Sequence, residues 1–243
     1  MPTPAPLNAR ISTGLDGYYA PAEGGGGKKP GVIVLMEAFG LTPHVRGLCD
    51  RFAAAGYAAL APDLYQGRQF GYAQLDEALG VLRSLNDDTV MEQVAASLDW
   101  LGRQDGVDGA RLAVSGFCMG GRLAFLSACR HGARLRAAVS FYGGSIAPGT
   151  ETDKMGRKPP IGEAPQLAVP ALLVYGARDK AIPGEEHGRI AQALTGLNKR
   201  YAVSVYPDAG HGFCCEDRDA YAPKAAEAAF AETFDFLRRC MAD

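Results

Sequence analysis

The sequence predicts a doubly wound α/β domain built on a mostly parallel β-sheet, and three observations predict it. Apolar runs of strand length alternate with stretches of helical period along the whole 243-residue chain. The runs Gly31–Met36 and Val169–Tyr175 are almost continuously apolar, as expected of strands covered on both faces. No linker, composition break or internal repeat interrupts the pattern, so residues 1–243 are expected to form a single domain.

Taken in order, residues 10–20 place an Asp16-Gly17 pair between strand-like runs, a hairpin signal centred on that pair. Glu23–Pro30 carries four consecutive glycines and is a surface loop. Ala22 and Lys29 stand in the wrong positions for a phosphate-binding G-x-x-x-x-G-K-[ST] loop. After the Gly31–Met36 strand, Pro43–Ala55 sets Val45, Leu48, Phe52 and Ala55 on one helical face, and Gly56 closes the helix. Tyr57–Ala61 is the next strand, followed by helices over Tyr72–Leu85 and Thr89–Leu101. Leu112–Val114 is a strand, and a helix runs from just beyond it to about His131. Leu135–Tyr142 is a strand, and Ile146–Leu167, without periodicity, is an excursion over the surface. Val169–Tyr175, Glu185–Leu194, Lys199–Tyr206 and Ala220–Cys240 complete the pattern as strand, helix, strand and helix.

Composition excludes several functions. With 47% hydrophobic residues the chain can bury a sizeable core, while a net charge of −2 gives no electrostatic case for nucleic acid or an anionic membrane. No apolar run approaches the roughly 20 residues that span a bilayer. Met1–Pro6 lacks the basic start and apolar stretch of a secretory signal. Six cysteines are too sparse for a disulfide scaffold and lack C-x-x-C spacing, so no metal site is expected. The expectation is a soluble, cytoplasmic protein, monomeric or homodimeric, with no cofactor.

The chemistry concentrates at Gly116-Phe-Cys118-Met-Gly120-Gly121, between an apolar strand and a helix. This is the G-x-S-x-G nucleophile elbow with cysteine in the serine position. The flanking glycines suit a strained turn in which strand and helix backbones approach closely, and the following helix aims its free N–H groups at the sulfur. Glu37, Asp179 and His211 stand just past three other strands, and ligands of such sheets bind at the carboxyl ends of strands. The order nucleophile, acid, histidine makes Cys118 the nucleophile, His211 its base and Asp179 the group that orients the imidazole. The N–H groups of Met119 and Ala38 would form the oxyanion hole. The remaining histidines, His44, His131 and His187, are expected at the surface.

These landmarks (Met36-Glu-Ala-Phe-Gly40, Pro62-Asp-Leu-Tyr65, Gly116–Gly121, Gly176-Ala-Arg-Asp179 and Gly210-His-Gly-Phe213) resemble the dienelactone hydrolase family, of carboxymethylenebutenolidase type, over nearly the whole chain. The resemblance implies an α/β-hydrolase fold of about eight strands with no large cap domain, and a Cys-His-Asp triad. It also implies a glutamate, here Glu37, that helps to deprotonate the cysteine when substrate arrives. Bacterial members place a carboxylate-binding arginine four residues after the histidine, where this chain has Cys215. Arg218, Arg83, Arg68 and Tyr142 are the candidates for substrate binding.

A thiolate attacks an ester or lactone carbonyl readily, whereas an amide tetrahedral intermediate tends to expel the thiolate again unless the amine is protonated, so the expected substrate is a small ester or enol lactone cleaved through an acyl-Cys118 intermediate. Two alternatives accompany this expectation: an esterase or thioesterase acting on another activated acyl group, and a non-catalytic scaffold that binds a ligand or senses thiol oxidation, with Cys214-Cys215 as a second thiol pair.

Overall fold

Among the described residues, eight strands and six helices follow one another in the order expected of a doubly wound sheet. The computed structural model describes residues 7–242; the Met1–Pro6 stretch, read above as free of a secretory signal, lies outside the described residues. The described residues fall into two compact units that meet in sequence between Ala113 and Val114. The longest strand, β5 (Val107–Phe117), runs from one into the other.

In the first unit the strand order is β1-β2-β4-β3-β5. The hairpin of β1 (Ala9–Ser12) and β2 (Leu15–Ala20) turns at Thr13-Gly14, and not at Asp16-Gly17. Gly14 adopts φ +78°, which the turn requires, whereas Asp16 and Gly17 lie within β2 opposite Arg10 and Ala9. Gly17 serves a close approach instead. A Cβ there would stand 2.6 Å from the Ala61 carbonyl oxygen of β4 (Ala58–Pro62), the antiparallel neighbour of β2. Parallel to β4 runs β3 (Lys29–Leu35), with Val32–Leu35 wholly buried.

Thr42 caps α1 (Pro43–Ala54), with Pro43 at a position where a missing N–H costs nothing. The second helix, α2, spans Leu75–Ser84 and starts later than Tyr72, because Gly71–Gln74 closes a turn and the Gln74 side chain accepts from the Gly71 N–H. Asn86 accepts from the N–H groups of Asp88 and Thr89, so α3 (Asp87–Gly102) starts two residues earlier than expected.

The second unit has the order β5-β6-β7-β8, with β6 (Ala137–Phe141), β7 (Ala171–Gly176) and β8 (Tyr201–Tyr206) parallel. Its helices are α4 (Met119–Arg130), α5 (Gly184–Gly196) and α6 (Pro223–Met241). Phe117 of β5 stacks on Phe141 of β6 at 4.5 Å between ring centroids, and Phe230 of α6 stands 5.3 Å from Phe141. Residues 146–167 do not simply pass over the surface. Ile146, Ala147, Asp153 and Ala164 are buried, and Pro160–Gln166 forms a 3-10 turn. The anchor is Asp153, which accepts from the Met155 and Arg157 N–H groups and faces the buried Arg122 of α4 at 3.7 Å. No helix among the described residues is long and apolar enough to cross a membrane.

Candidate active site

Cys118 sits where β5 hands over to α4, in a backbone conformation (φ 55°, ψ −114°) that L-residues rarely adopt. Three hydrogen bonds hold it there. Its N–H donates to the Phe141 carbonyl at 3.0 Å, and its own carbonyl accepts from Gly121 and Arg122 at 2.9 and 3.3 Å. The glycines are a steric necessity. A Cβ on Gly116 would lie 1.9 Å from the Gly120 carbonyl oxygen, and one on Gly121 would lie 2.6 Å from that of Phe141. The side chain of Cys118 is therefore lifted from the end of β5 at the first turn of α4.

Asp179 follows β7, and its carboxylate is fully enclosed. Oδ1 accepts from the N–H groups of Ala181 and Ile182 at 2.8 and 3.2 Å, which fixes the carboxylate before the histidine is considered. The loop after β8 docks onto the same place. Arg178 donates its N–H to the Ala209 carbonyl at 2.9 Å, and Gly176 lets that carbonyl approach, since a Cβ would stand 2.3 Å from its oxygen. His211 thereby comes to lie between acid and sulfur, with Nδ1 2.7 Å from Asp179 Oδ2 and Nε2 3.1 Å from Cys118 Sγ. The ring edge meets Tyr142, 5.3 Å away between centroids. Tyr142 is buried and itself held at φ 38°.

Burial alone would lower the basicity of His211, but the negative sulfur of Cys118 and the hydrogen bond to Asp179 outweigh it and push the imidazole up to about 10. Burial acts in the other direction on thiols elsewhere: it pushes Cys129 up to about 12, and Cys49 and Cys240 also move upward. The sulfur of Cys118, by contrast, is in hydrogen-bond contact with an imidazole nitrogen.

The second unit thus brings Cys118, Asp179, His211 and Tyr142 together, and Met119 opens α4 beside them. Arg218 reaches back to the same loop: a Cβ on Gly212, which has φ +77°, would lie 2.3 Å from its Nη1. The first unit carries Glu37, almost wholly buried past the end of β3, and Ala38 in the turn that follows. Arg68 and Arg83 are exposed in that unit, Arg68 beyond β4 and Arg83 in the last turn of α2. His187, expected at the surface, instead stacks on Tyr175 at 4.0 Å, and Cys214 and Cys215 are both buried.

Buried charges such as Glu186 and Arg122 escaped the sequence reading. Glu186 of α5 accepts from the N–H groups of Ile146 and Ala147 at 2.8 and 3.1 Å, and Arg122 donates to the Lys158 carbonyl at 3.0 Å. A signal for Arg122 existed, because it is the one charge between Cys118 and Arg130.

A mostly parallel sheet with cysteine after β5, aspartate after β7 and histidine after β8 defines an α/β-hydrolase. The profile of the "Dienelactone hydrolase family" matches residues 15–241, and the chain belongs to that family. It is 36% identical over 216 residues to a protein named "Putative carboxymethylenebutenolidase" from Salmonella typhimurium, covering 88% of this chain and 78% of that one. Among solved structures it resembles the "Putative Dienelactone Hydrolase" of Klebsiella pneumoniae, with 32% identity, a TM-score of 0.82 and 93% of each chain covered. It also resembles the "Dienelactone Hydrolase-like Promiscuous Phospotriesterase P91" from metagenomic libraries, with 27% identity, a TM-score of 0.78, and 94% of this chain and 93% of that one covered.

Proposed function

We propose that the chain acts as one catalytic domain in the cytoplasm, as a monomer or homodimer, hydrolysing a small ester or enol lactone through an acyl-Cys118 intermediate. The observation that carries this reading is the line Sγ···Nε2 3.1 Å and Nδ1···Oδ2 2.7 Å, since both ring nitrogens are committed to the directions that proton transfer requires. His211 takes the thiol proton, and Asp179 stabilises the resulting imidazolium. Glu37 assists that deprotonation as substrate arrives. The thiolate adds to the carbonyl carbon, and the oxyanion is received by the N–H groups of Met119 and Ala38. Collapse breaks the C–O bond, and the imidazolium gives its proton to the departing alkoxide or enolate.

Acylation then changes the base itself. Once the sulfur is in a thioester it carries no charge, and the strongest influence holding the proton on His211 is gone. The neutral imidazole takes a proton from water, hydroxide adds to the thioester, and the acid is released as Cys118 is regenerated. Arg218, whose guanidinium lies close to Gly212 next to His211, is the candidate to receive a carboxylate on the substrate, and Tyr142, after β6, packs its ring against His211. Arg68 and Arg83 remain the substrate-binding candidates of the first unit.

The test is hydrolysis of p-nitrophenyl acetate by Cys118→Ala. Turnover disappears if this reading holds, and retained turnover overturns it. Running the wild-type enzyme against alkyl esters, thioesters and enol lactones separates the lactonase from an esterase or thioesterase. No hydrolysis by the wild-type enzyme of any of these would favour the ligand-binding scaffold.

A further inference from the structure

The Pro62-Asp63-Leu64-Tyr65 segment stands out in the sequence, yet the proposed triad makes no use of it. Asp63 is only 3% exposed, directly after β4. Its carboxylate does not meet a cation among its hydrogen bonds to this turn. Oδ1 accepts from the Tyr65 N–H at 3.1 Å and Oδ2 from the Gly67 N–H at 2.6 Å, while the Asp63 carbonyl accepts from Gln66. Between these bonds Gln66 and Gly67 both adopt positive φ, 54° and 89°. For glutamine that conformation is costly, and the carboxylate is what stabilises it.

The turn in turn supports a second one. Gly40 donates its N–H to the Glu37 carbonyl, closing a β-turn with Ala38 and Phe39 at its centre. Phe70 donates its N–H to the Phe39 carbonyl at 3.0 Å. Gly40, at φ +91°, lies so close to residue 68 that a Cβ would stand 2.4 Å from the Arg68 carbonyl oxygen. The edge of the Phe39 ring meets Tyr72 at 4.9 Å. Residues 68–72 are therefore the seat of the Glu37–Gly40 turn, and Asp63 fixes where that seat begins.

We infer that Asp63 is a positioning residue for the oxyanion hole: it sets the direction of the Ala38 N–H through the chain Asp63, Gln66-Gly67, Arg68–Phe70, Phe39-Gly40. This inference rests on the proposed role of Ala38 and deepens it. A donor displaced by about 1 Å loses much of its effect on an oxyanion. The residue touches no reacting atom, so its influence falls only on steps in which a carbonyl oxygen gains charge.

That restriction supplies the test. Alkylation of Cys118 by iodoacetamide is displacement at a saturated carbon, needs the thiolate and forms no oxyanion. Asp63→Ala should lower kcat/KM for p-nitrophenyl acetate by about 10- to 100-fold, while the rate of Cys118 alkylation and its pH profile stay at wild-type values. Ala38→Pro deletes the N–H at a turn position that favours proline, and should cost about 10²- to 10³-fold with alkylation again unchanged. In the double variant, Asp63→Ala should add no further loss, because the group it positions is absent.

Each result is decisive. If Ala38→Pro hydrolyses like wild type, the assignment of the oxyanion donor fails and the inference with it. If Ala38→Pro is impaired but Asp63→Ala is not, the donor stands and the role of Asp63 is overturned. Parallel loss of hydrolysis and alkylation in Asp63→Ala, or full additivity in the double variant, would make Asp63 a general structural residue and also overturns it. Should Asp63→Ala not fold, Asp63→Asn, which keeps one acceptor oxygen and turns the other into a donor facing an N–H, is read by the same pair of rates.

Discussion

Replacing Asp179 by Asn changes a single atom and reverses the direction of a hydrogen bond. The carboxylate receives three N–H groups: Ala181 and Ile182 at Oδ1, and His211 Nδ1 at Oδ2. An asparagine oxygen can keep the two backbone donors, which places its NH₂ 2.7 Å from Nδ1. Two donors cannot share that bond, so Nδ1 must accept and the ring proton moves to Nε2, facing Cys118 Sγ. The imidazole then has no lone pair for the thiol proton, and its cationic form would set N–H against N–H. We expect a fall in kcat of about 10³- to 10⁴-fold, equivalent to about 4–5.5 kcal/mol of transition-state stabilisation.

The backbone anchors of the site survive that substitution, so the loss of stability should be limited to about the 1.5–3 kcal/mol of one hydrogen bond to a charged group. Steady-state hydrolysis of p-nitrophenyl acetate, the melting temperature and the rate of Cys118 alkylation at pH 7 measure the three effects. Hydrolysis and alkylation should fall while the protein remains folded. A variant retaining more than about a tenth of wild-type kcat would refute the reasoning, because the ring would then have delivered its proton without the acid.

Three further outcomes follow from the same geometry. With an alkyl ester whose leaving group needs a proton, acylation should persist to high pH and fall as pH rises through about 10, where the protonated imidazole is lost; single-turnover rates against pH test this, and an alkaline limb near the ordinary histidine value would contradict it. Gly116→Ala forces a Cβ to 1.9 Å from the Gly120 carbonyl oxygen and should cost about 3 kcal/mol or more, lowering the melting temperature by about 6–12 °C. Asp153→Ala removes the carboxylate that faces buried Arg122 and holds Arg157, and should cost about 3–5 kcal/mol in chemical denaturation. At temperatures where that variant is folded, its kcat should stay within a few-fold of wild type.

Much of the fold was legible because burial on both faces of a parallel strand leaves an unmistakable apolar run, as in Val32–Leu35 and Leu172–Val174. The hairpin turn was misplaced because Asp-Gly and Thr-Gly are both turn pairs, and only the neighbouring strand reveals that Gly17 is needed for contact with Ala61. The start of α2 was misjudged because Tyr72 fits the helical period but is drawn to Phe39. Cys118, Asp179 and His211 could be singled out since each follows a strand, where a polar group has no packing reason to sit. The carboxylates that brace loops could not. Glu186 and Asp153 lie within polar stretches that look solvated, and their burial depends on partners far along the chain, the Ile146 and Ala147 N–H groups for Glu186 and the Arg122 guanidinium for Asp153, that no local pattern encodes.

The central claim is that Cys118 carries the acyl group between two half-reactions. Acid-quenching the enzyme during turnover of p-nitrophenyl acetate and mapping its peptides by mass spectrometry tests it most directly. The account predicts one acetyl group on the peptide containing Cys118, formed in a burst stoichiometric with enzyme and absent from Cys118→Ala. Product release without any acyl-peptide, or an acetyl group on a different residue whose replacement abolishes turnover, would contradict it.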